Sequence, residues 1–190
     1  MPPKVRIAKE DIIKTALDLL RKSGEGAINA RNIAAELGCS TQPVFSNFST
    51  MEELHDATVS AAYEIYFEFI KKECESGRYP RYKAFGMAYI RFAKEEKELF
   101  KLLFMCDRTD ENTSQLSPDF KESVQMIMEA NRVSYEKAKL MHMELWVCVH
   151  GIGTILATSF LSLEWELISD MVTDVYQGIR ARHVSWEEEK

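Results

Sequence analysis

The sequence is poor in the residues that cross-link small folds and interrupt regular structure. Its 190 residues include 4 cysteines, 8 glycines and 5 prolines. The cysteines, at positions 39, 74, 106 and 148, show neither CxxC spacing nor the density of a secreted disulfide scaffold. No stretch alternates apolar and polar residues in the way that a half-buried strand requires. These absences exclude a disulfide-rich secreted protein and favour an all-α fold.

Motifs for catalysis and metal binding are also absent. The sequence contains no GxSxG, HExxH, Walker loop or GxGxxG pattern. His142 and His150 lie two helical turns apart, and His55 and His183 have no Cys or His neighbours at ligand spacing. We therefore predict no catalytic residues, no metal site and no cofactor, and a protein that is not an enzyme.

Signals for export or membrane insertion are weak. The start, Met1-Pro-Pro-Lys, carries no apolar segment of the signal-peptide type, so we expect a cytoplasmic protein. One charge-free run, residues 145–163, would nearly span a bilayer. Polar residues and glycines are spread through it, however, so we interpret it as a helix buried on all sides of a soluble protein.

Helical periodicity dominates what is present. Apolar residues make up 46% of the chain and recur at helical spacing between caps and glycine stops. A polar segment at residues 107–116 predicts a mobile loop. We predict nine helices, at about 9–23, 29–37, 40–47, 50–76, 81–94, 96–106 and 117–131, with the last two capped by Ser134 and Ser162.

The stretch 29–48 predicts two short helices joined by a tight turn. Asn29 is suited to cap the first helix, and Gly38 to end it in the left-handed region. Ser40 is suited to cap the second helix, with Pro43 tolerated in its first turn. This is the helix-turn-helix layout, whose second helix can lie in the major groove of DNA.

The charge distribution is compatible with DNA binding although the net charge is −6. Residues 1–48 hold seven basic and five acidic side chains, whereas the remaining residues hold 17 and 25. Only the docking surface needs positive potential, because phosphate attraction is screened within about 10 Å at 0.1 M salt. Lys4, Arg6 and Lys9 cluster before the first helix, as a DNA-contacting arm would require; an ordinary solvated terminus is the alternative.

Residues 9–54 hold a set of apolar, glycine and polar side chains that is specific as a set. Its members are Ile12, Ala16, Leu20, Gly24, Arg31, Ile33, Ala34, Gly38, Ser40, Val44, Phe45, Phe48, Glu53 and Leu54. Together they resemble the DNA-binding head of the tetracycline-repressor (TetR) family of bacterial regulators. Two residues depart from the family in detail, Phe45 where the family usually has Tyr and Met51 where it usually has Lys. Each departure removes a side chain suited to a phosphate contact.

The rest of the chain resembles the same family more weakly. Trp146, His150 and Gly151 are similar to the Trp-x-x-x-His-Gly signature of some TetR ligand domains. The resemblance implies a nine-helix architecture with a helix-turn-helix domain at residues 1–48 and a ligand-binding and dimerisation domain at residues 49–190. In that family the last two helices pair with those of a second copy. The alternative is that they only complete the core of a monomer.

The residues expected to contact DNA lie on or beside the second helix of the motif. Gln42 can bond adenine bidentately, whereas Arg31, Asn29 and Asn47 are suited to phosphates. Val44 is open to two interpretations, contact with a thymine methyl or a place in the core. The full set is Asn29, Arg31, Ser40, Thr41, Gln42, Val44, Phe45, Ser46 and Asn47.

A set of aromatic and methionine side chains is the candidate for a ligand site, with plain core packing as the alternative. Met suits adaptable cavities, and His150 supplies a polar group. We expect a small, mainly hydrophobic or aromatic ligand that is not strongly anionic, because no Lys or Arg falls on the predicted inner faces. The set is Tyr63, Phe67, Tyr89, Phe104, Met126, Met143, Trp146 and His150.

These expectations combine into a homodimeric transcriptional repressor that leaves a palindromic operator when a small molecule binds. Three alternatives stay open from the sequence: a ligand-dependent activator, a helical adaptor that keeps only the shape of the motif, and a helical enzyme. The enzyme is the least supported of the three, because no reactive group is apparent.

Overall fold

The computed structural model describes residues 7–106 and 119–184. Within these residues it contains nine α-helices, one 3-10 turn at Glu25–Ala27 and no strand, which confirms the all-α nine-helix prediction. The predicted loop at 107–116 and the predicted helix start at Ser117 lie outside the described residues. The helices are α1 (Lys9–Ser23), α2 (Ala30–Glu36), α3 (Gln42–Asn47), α4 (Met51–Glu75), α5 (Arg81–Glu95), α6 (Lys97–Phe104), α7 (Phe120–Asn131), α8 (Tyr135–Ala157) and α9 (Trp165–Val184).

The helices form two compact units. Unit 1 comprises described residues 7–68 and 96–106, and therefore holds α1 to α3, most of α4 and α6. Unit 2 comprises described residues 69–95 and 119–184, and holds α5, α7, α8 and α9. This division follows compactness, so the functional boundary after residue 48 stays a prediction.

The head in unit 1 is organised around a small apolar core. Helices α2 and α3 are 7 and 6 residues long, too short to persist alone, so their stability comes from packing. The core joins α1, the helix-turn-helix and the start of α4. Its buried members are Ile12, Ala16, Ala30, Ile33, Val44, Phe48 and Leu54.

The turn between α2 and α3 follows the prediction at one end and departs from it at the other. Asn29 caps α2 by accepting a hydrogen bond from Asn32 N at 3.0 Å, and Gly38 is left-handed with φ 64°. Ser40 was expected to cap α3, but Thr41 holds the cap position and makes no side-chain cap bond. The helix therefore begins at Gln42, with Pro43, which lacks an N–H, in its first turn.

The start of α4 carries a capping box formed by Thr50 and Glu53. Glu53 N donates to Thr50 Oγ1 at 3.0 Å, and Ser49 N donates to Glu53 Oε2 at 2.7 Å. The Ser49 bond, followed by the contact with Lys9, lowers the pKa of Glu53. This arrangement fixes where α4 leaves the head.

Unit 2 is built around α8, against which α5, α7 and α9 pack. The prediction of a helix buried on all sides was wrong. α8 ends at Ala157, and Val147 is 61% exposed on a face shared with Leu140 and Met143. By length and composition α8 could cross a membrane, but 44% of its most apolar window is buried inside the protein. The absence of charged residues in this segment indicated that the helix is apolar, but it could not show that every face of the helix is covered.

Candidate DNA-binding surface and ligand site

Helix α3 presents a mixed polar and aromatic surface. Gln42 and Ser46 are exposed, Thr41 is half-buried, and Phe45 is 53% exposed. Ser46 Oγ donates to Gln42 O at 2.8 Å, so the hydroxyl is turned back onto its own helix. The groups that remain available for a base edge are the Gln42 amide and the Thr41 hydroxyl.

Val44 does not belong to this surface. It is 1% exposed and packs in the head core with Phe48. Of the two interpretations of Val44, the structure therefore favours a place in the core, and we remove Val44 from the predicted DNA contacts. Because Val44 and Phe48 lie four residues apart, they hold the inner face of α3 and leave Gln42 and Phe45 outside.

The two asparagines proposed for phosphate contact bond to the backbone instead. Asn47 Nδ2 donates to Pro43 O at 2.8 Å and to Ile7 O at 3.4 Å, which occupies both its N–H groups. Asn29 Oδ1 caps α2. Arg31 is exposed, so it is the best placed of the three residues predicted to contact phosphates. Ser40, another member of the predicted DNA-binding set, is also exposed.

The two departures from the family pattern have different surroundings. Phe45 is exposed, so a Tyr at this position would place its hydroxyl at the surface, and Phe45 lacks that group. Met51 is half-buried, and its side chain packs against the apolar core of the head. Of the predicted arm, Lys4 and Arg6 lie outside the described residues, and Lys9 lies over the Phe48 ring at 4.5 Å and pairs with Glu53.

Three of the eight predicted ligand residues form an aromatic cluster in unit 1. The ring centroids of Tyr63 and Phe104 are 6.2 Å apart, and those of Tyr63 and Phe67 are 6.4 Å apart. Tyr66, which is not in the predicted ligand set, is buried and edge-on to Phe104. Phe67 is 43% exposed, so this cluster reads as core with one surface member.

Three more of the predicted ligand residues meet in unit 2. Tyr89 Oη and His150 Nδ1 share a hydrogen bond of 2.7 Å, and the Trp146 ring stacks on His150 with centroids 4.8 Å apart. Burial lowers the pKa of His150, so its ring is neutral at pH 7. Of the remaining two residues, Met143 is exposed and Met126 lines a cavity whose lining does not include the trio.

That cavity, of about 670 Å³, lies within unit 2 between α5, α7, α8 and α9. Of the eight predicted ligand residues only Met126 lines this cavity. The prediction that no Lys or Arg falls on the inner faces was wrong, because three basic side chains line the cavity. The lining residues are Pro80, Arg81, Tyr82, Lys83, Met126, Glu129, Ala130, Leu145, Val172, Thr173, Tyr176, Gln177 and Arg180.

Two tyrosines of the cavity wall have their hydroxyls engaged. Tyr82 Oη shares a hydrogen bond of 2.9 Å with His142 Nδ1, and Tyr176 Oη accepts one of 3.0 Å from Asn131 Nδ2. Burial is the main cause that raises the pKa of Tyr82 and lowers that of His142, to about 4 for the histidine. Both groups are therefore neutral at pH 7.

The comparison with known families decides the identity of this fold. Residues 82–174 match the tetracyclin repressor-like C-terminal domain family, and the head is a helix-turn-helix. The chain belongs to the TetR family. It is accordingly a DNA-binding transcriptional regulator. TetR-like regulators bind DNA operators and small molecules, usually as dimers.

Solved structures share the TetR architecture at low sequence identity. A TetR-like transcriptional regulator from Rhodococcus sp. RHA1 is 14% identical, with a TM-score of 0.69 over 93% of this chain and 96% of that one. The multidrug binding protein EbrR complexed with imidazole is 15% identical, with a TM-score of 0.56 over 88% and 93%. No curated protein matches the chain significantly. These similarities concern the fold.

In this TetR-family chain, no group of three or more His, Cys, Asp or Glu side chains among the described residues is arranged to hold a metal ion. The four cysteines are free thiols, and burial raises the pKa of two of them, Cys74 and Cys148.

Proposed function

We propose that this TetR-family regulator is a homodimeric repressor that acts in the cytoplasm and leaves a palindromic operator when a small, mainly apolar ligand binds. The observation that carries the proposal is the geometry of α3. Buried Val44 and Phe48 hold the helix in the head, while Thr41, Gln42 and Phe45 face outward. A recognition helix needs this division between an anchored and a reading face.

Base recognition rests mainly on Gln42 in this proposal. Its side-chain amide is exposed and can donate to adenine N7 and accept from N6. Arg31 and Ser40 lie on the same motif and are exposed, which suits phosphate contacts that position the helix without reading sequence. Two copies of α3 would enter successive major grooves about 34 Å apart.

Dimerisation is assigned to the exposed faces of α8 and α9. On α8 the apolar side chains of Leu140, Met143 and Val147 recur at helical spacing, and Gly151 follows them with open space where a Cβ would lie. Uncovered apolar rows of this kind mark interaction surfaces. On α9 the corresponding exposed residues are Leu167 and Met171.

The ligand would act from the body on the spacing of the two heads. Unit 2 contains a cavity within the size range of small-molecule sites. It also contains the trio of Tyr89, Trp146 and His150. A coupling free energy of about 1–3 kcal/mol would change DNA affinity roughly 5- to 150-fold.

Fluorescence anisotropy with labelled duplexes from the region upstream of the encoding gene tests DNA binding. Gln42→Ala is expected to weaken binding by about 1–3 kcal/mol and to relax selectivity at one base pair. Gln125→Ala, which removes an exposed glutamine on α7, is the matched control and should leave affinity unchanged. Equal losses on every operator variant would contradict base reading by Gln42, and no binding even at low salt would favour the adaptor alternative.

A further inference from the structure

We propose that the cavity in unit 2 binds an amphipathic monocarboxylate, with the apolar body against its tyrosine and methionine wall and the carboxylate on Lys83 and Arg180. The inference deepens the proposed function by naming the class of ligand, and its regulatory meaning rests on that function. It also revises the expectation of a ligand without strong anionic character.

The wall of the cavity is apolar although it contains two tyrosines. Because the Tyr82 and Tyr176 hydroxyls are bonded to His142 and Asn131, what these residues offer a ligand is mainly aromatic surface. Their ring centroids are 5.8 Å apart, so they form one continuous patch. The other apolar lining residues are Pro80, Met126, Ala130, Leu145 and Val172.

Lys83 is held in place by uncharged partners. Its Nζ donates to Ser169 Oγ at 2.8 Å and to Thr173 Oγ1 at 2.7 Å, and lies 4.8 Å from the centre of the Tyr79 ring. Within residues 7–106 and 119–184 no carboxylate pairs with this ammonium. Two hydroxyls therefore fix its direction and leave its charge, and one of its three N–H groups, for another acceptor.

The other charged residues of the lining favour a single negative charge. Arg81 is paired with Glu122, whereas Arg180 is exposed and has no ion-pair partner in the described part of the chain. Glu129 accepts a hydrogen bond from Gln125 and is the acidic member of the lining. With Arg81 neutralised by Glu122, the formal charges of Lys83, Arg180 and Glu129 sum to +1, which one carboxylate balances, and Glu129 would oppose a more highly charged group.

The volume of the cavity suits a ligand of small-molecule size. About 670 Å³ is within the usual range of roughly 300–1,000 Å³ for small-molecule sites. A partly buried ammonium attracts a carboxylate more strongly than a neutral amide of the same shape, because the carboxylate carries a full opposite charge and the amide only a dipole. Discrimination between acid and amide is therefore the property to measure.

Isothermal titration calorimetry on the full chain provides the test. The probes are octanoate, 4-phenylbutyrate and naphthalene-1-acetate, each compared with its own primary amide. At least one acid is expected to bind more tightly than its amide by about tenfold or more. In Lys83→Met that preference should fall to about twofold or less, in Arg180→Gln it should weaken, and in Lys83→Arg it should largely return.

Lys121→Met is the matched control, because it removes an exposed lysine from α7 that does not line the cavity. Circular dichroism and the melting temperature of each variant establish that it is folded. The proposal is overturned if no acid binds below about 1 mM, if acid and amide bind equally, or if the preference survives Lys83→Met.

A DNA-binding arm separates this inference from the proposed function. The acid that binds is added to the complex of the regulator with its operator. Binding with the predicted Lys83 dependence but without any change in DNA affinity supports the site and contradicts ligand-controlled release. Release of DNA by an acid whose affinity is unchanged in Lys83→Met supports ligand-controlled release and contradicts the site.

Discussion

His142 is a buried ionisable group whose protonation opposes folding. Its pKa is about 4 in the folded chain, because burial disfavours the charged ring, and about 6.5 when unfolded. The stability associated with neutral His142 is complete above pH 6.5 and decreases as the pH falls towards 4, by at most about 1.4 kcal/mol per pH unit.

Urea unfolding at pH 7, 6 and 5 measures this slope. His142→Gln, which removes the titrating ring and can still bond to Tyr82, should lower stability at pH 7 and make it less dependent on pH. His150, whose pKa is also lowered by burial, contributes a remaining slope in both proteins. Identical pH profiles for the two proteins would show that His142 is not responsible.

Val44 and Gln42 are neighbours on α3 with opposite expected effects. Val44→Ala removes two methyl groups from a core position that is 1% exposed, so the free energy of unfolding should fall by about 2 kcal/mol. Gln42→Ala changes an exposed side chain and should alter stability by less than about 0.5 kcal/mol. Chemical denaturation of both variants measures the difference. A stable Val44→Ala protein with weakened DNA binding would return Val44 to the reading face.

The sequence could not decide between the two faces of α3. A helix of six residues gives little more than one turn and a half, so apolar periodicity has too few positions to define an inner side. Val44, Phe45 and Phe48 are all apolar, and only the packing of the head shows that Phe45 is the one outside.

At the scale of elements, the turn between α2 and α3 depends on Gly38. Its φ of 64° lies in the left-handed region, where a Cβ is unfavourable even though no atom would lie within 4 Å of it. Gly38→Ala should therefore destabilise the head by about 1 kcal/mol through backbone strain alone. The melting temperature of the variant measures the effect.

Gly26→Ala is the control for that substitution. Gly26 also has open space around it but its φ is not in the left-handed region, so alanine should be tolerated there or be slightly stabilising. Equal effects at the two glycines would mean that the α2–α3 turn is not strained by a Cβ.

Local signals predicted most of the helix bounds. Caps at Asn29 and Thr50 and the stop at Gly38 act through hydrogen bonds and φ preferences between near neighbours, which a sequence displays directly. The cavity was missed for the opposite reason. Its wall combines residues from α5, α7, α8 and α9, such as Tyr82 and Val172, and nothing in the spacing along one helix shows that they converge.

At the scale of the whole molecule, the proposed dimer depends on the uncovered face of α8. Val147 is 61% exposed in the single chain, so Val147→Glu should leave its fold and helix content intact. In a dimer the same change would bury a charge against Leu140 and Met143 or their copies, at a cost of several kcal/mol. Light scattering coupled to size exclusion is expected to show a dimer for the parent and a monomer for the variant.

Met105→Glu separates this effect from any general cost of an added charge. Met105 is 42% exposed and lies in unit 1, away from α8 and α9 in sequence, so this variant should remain dimeric. Loss of the dimer should also weaken operator binding by about 100-fold or more, because the second head then no longer binds at the effective concentration set by the first. A Val147→Glu protein that stays dimeric and keeps its DNA affinity would remove α8 from the interface, and the uncovered row would then have to serve another partner.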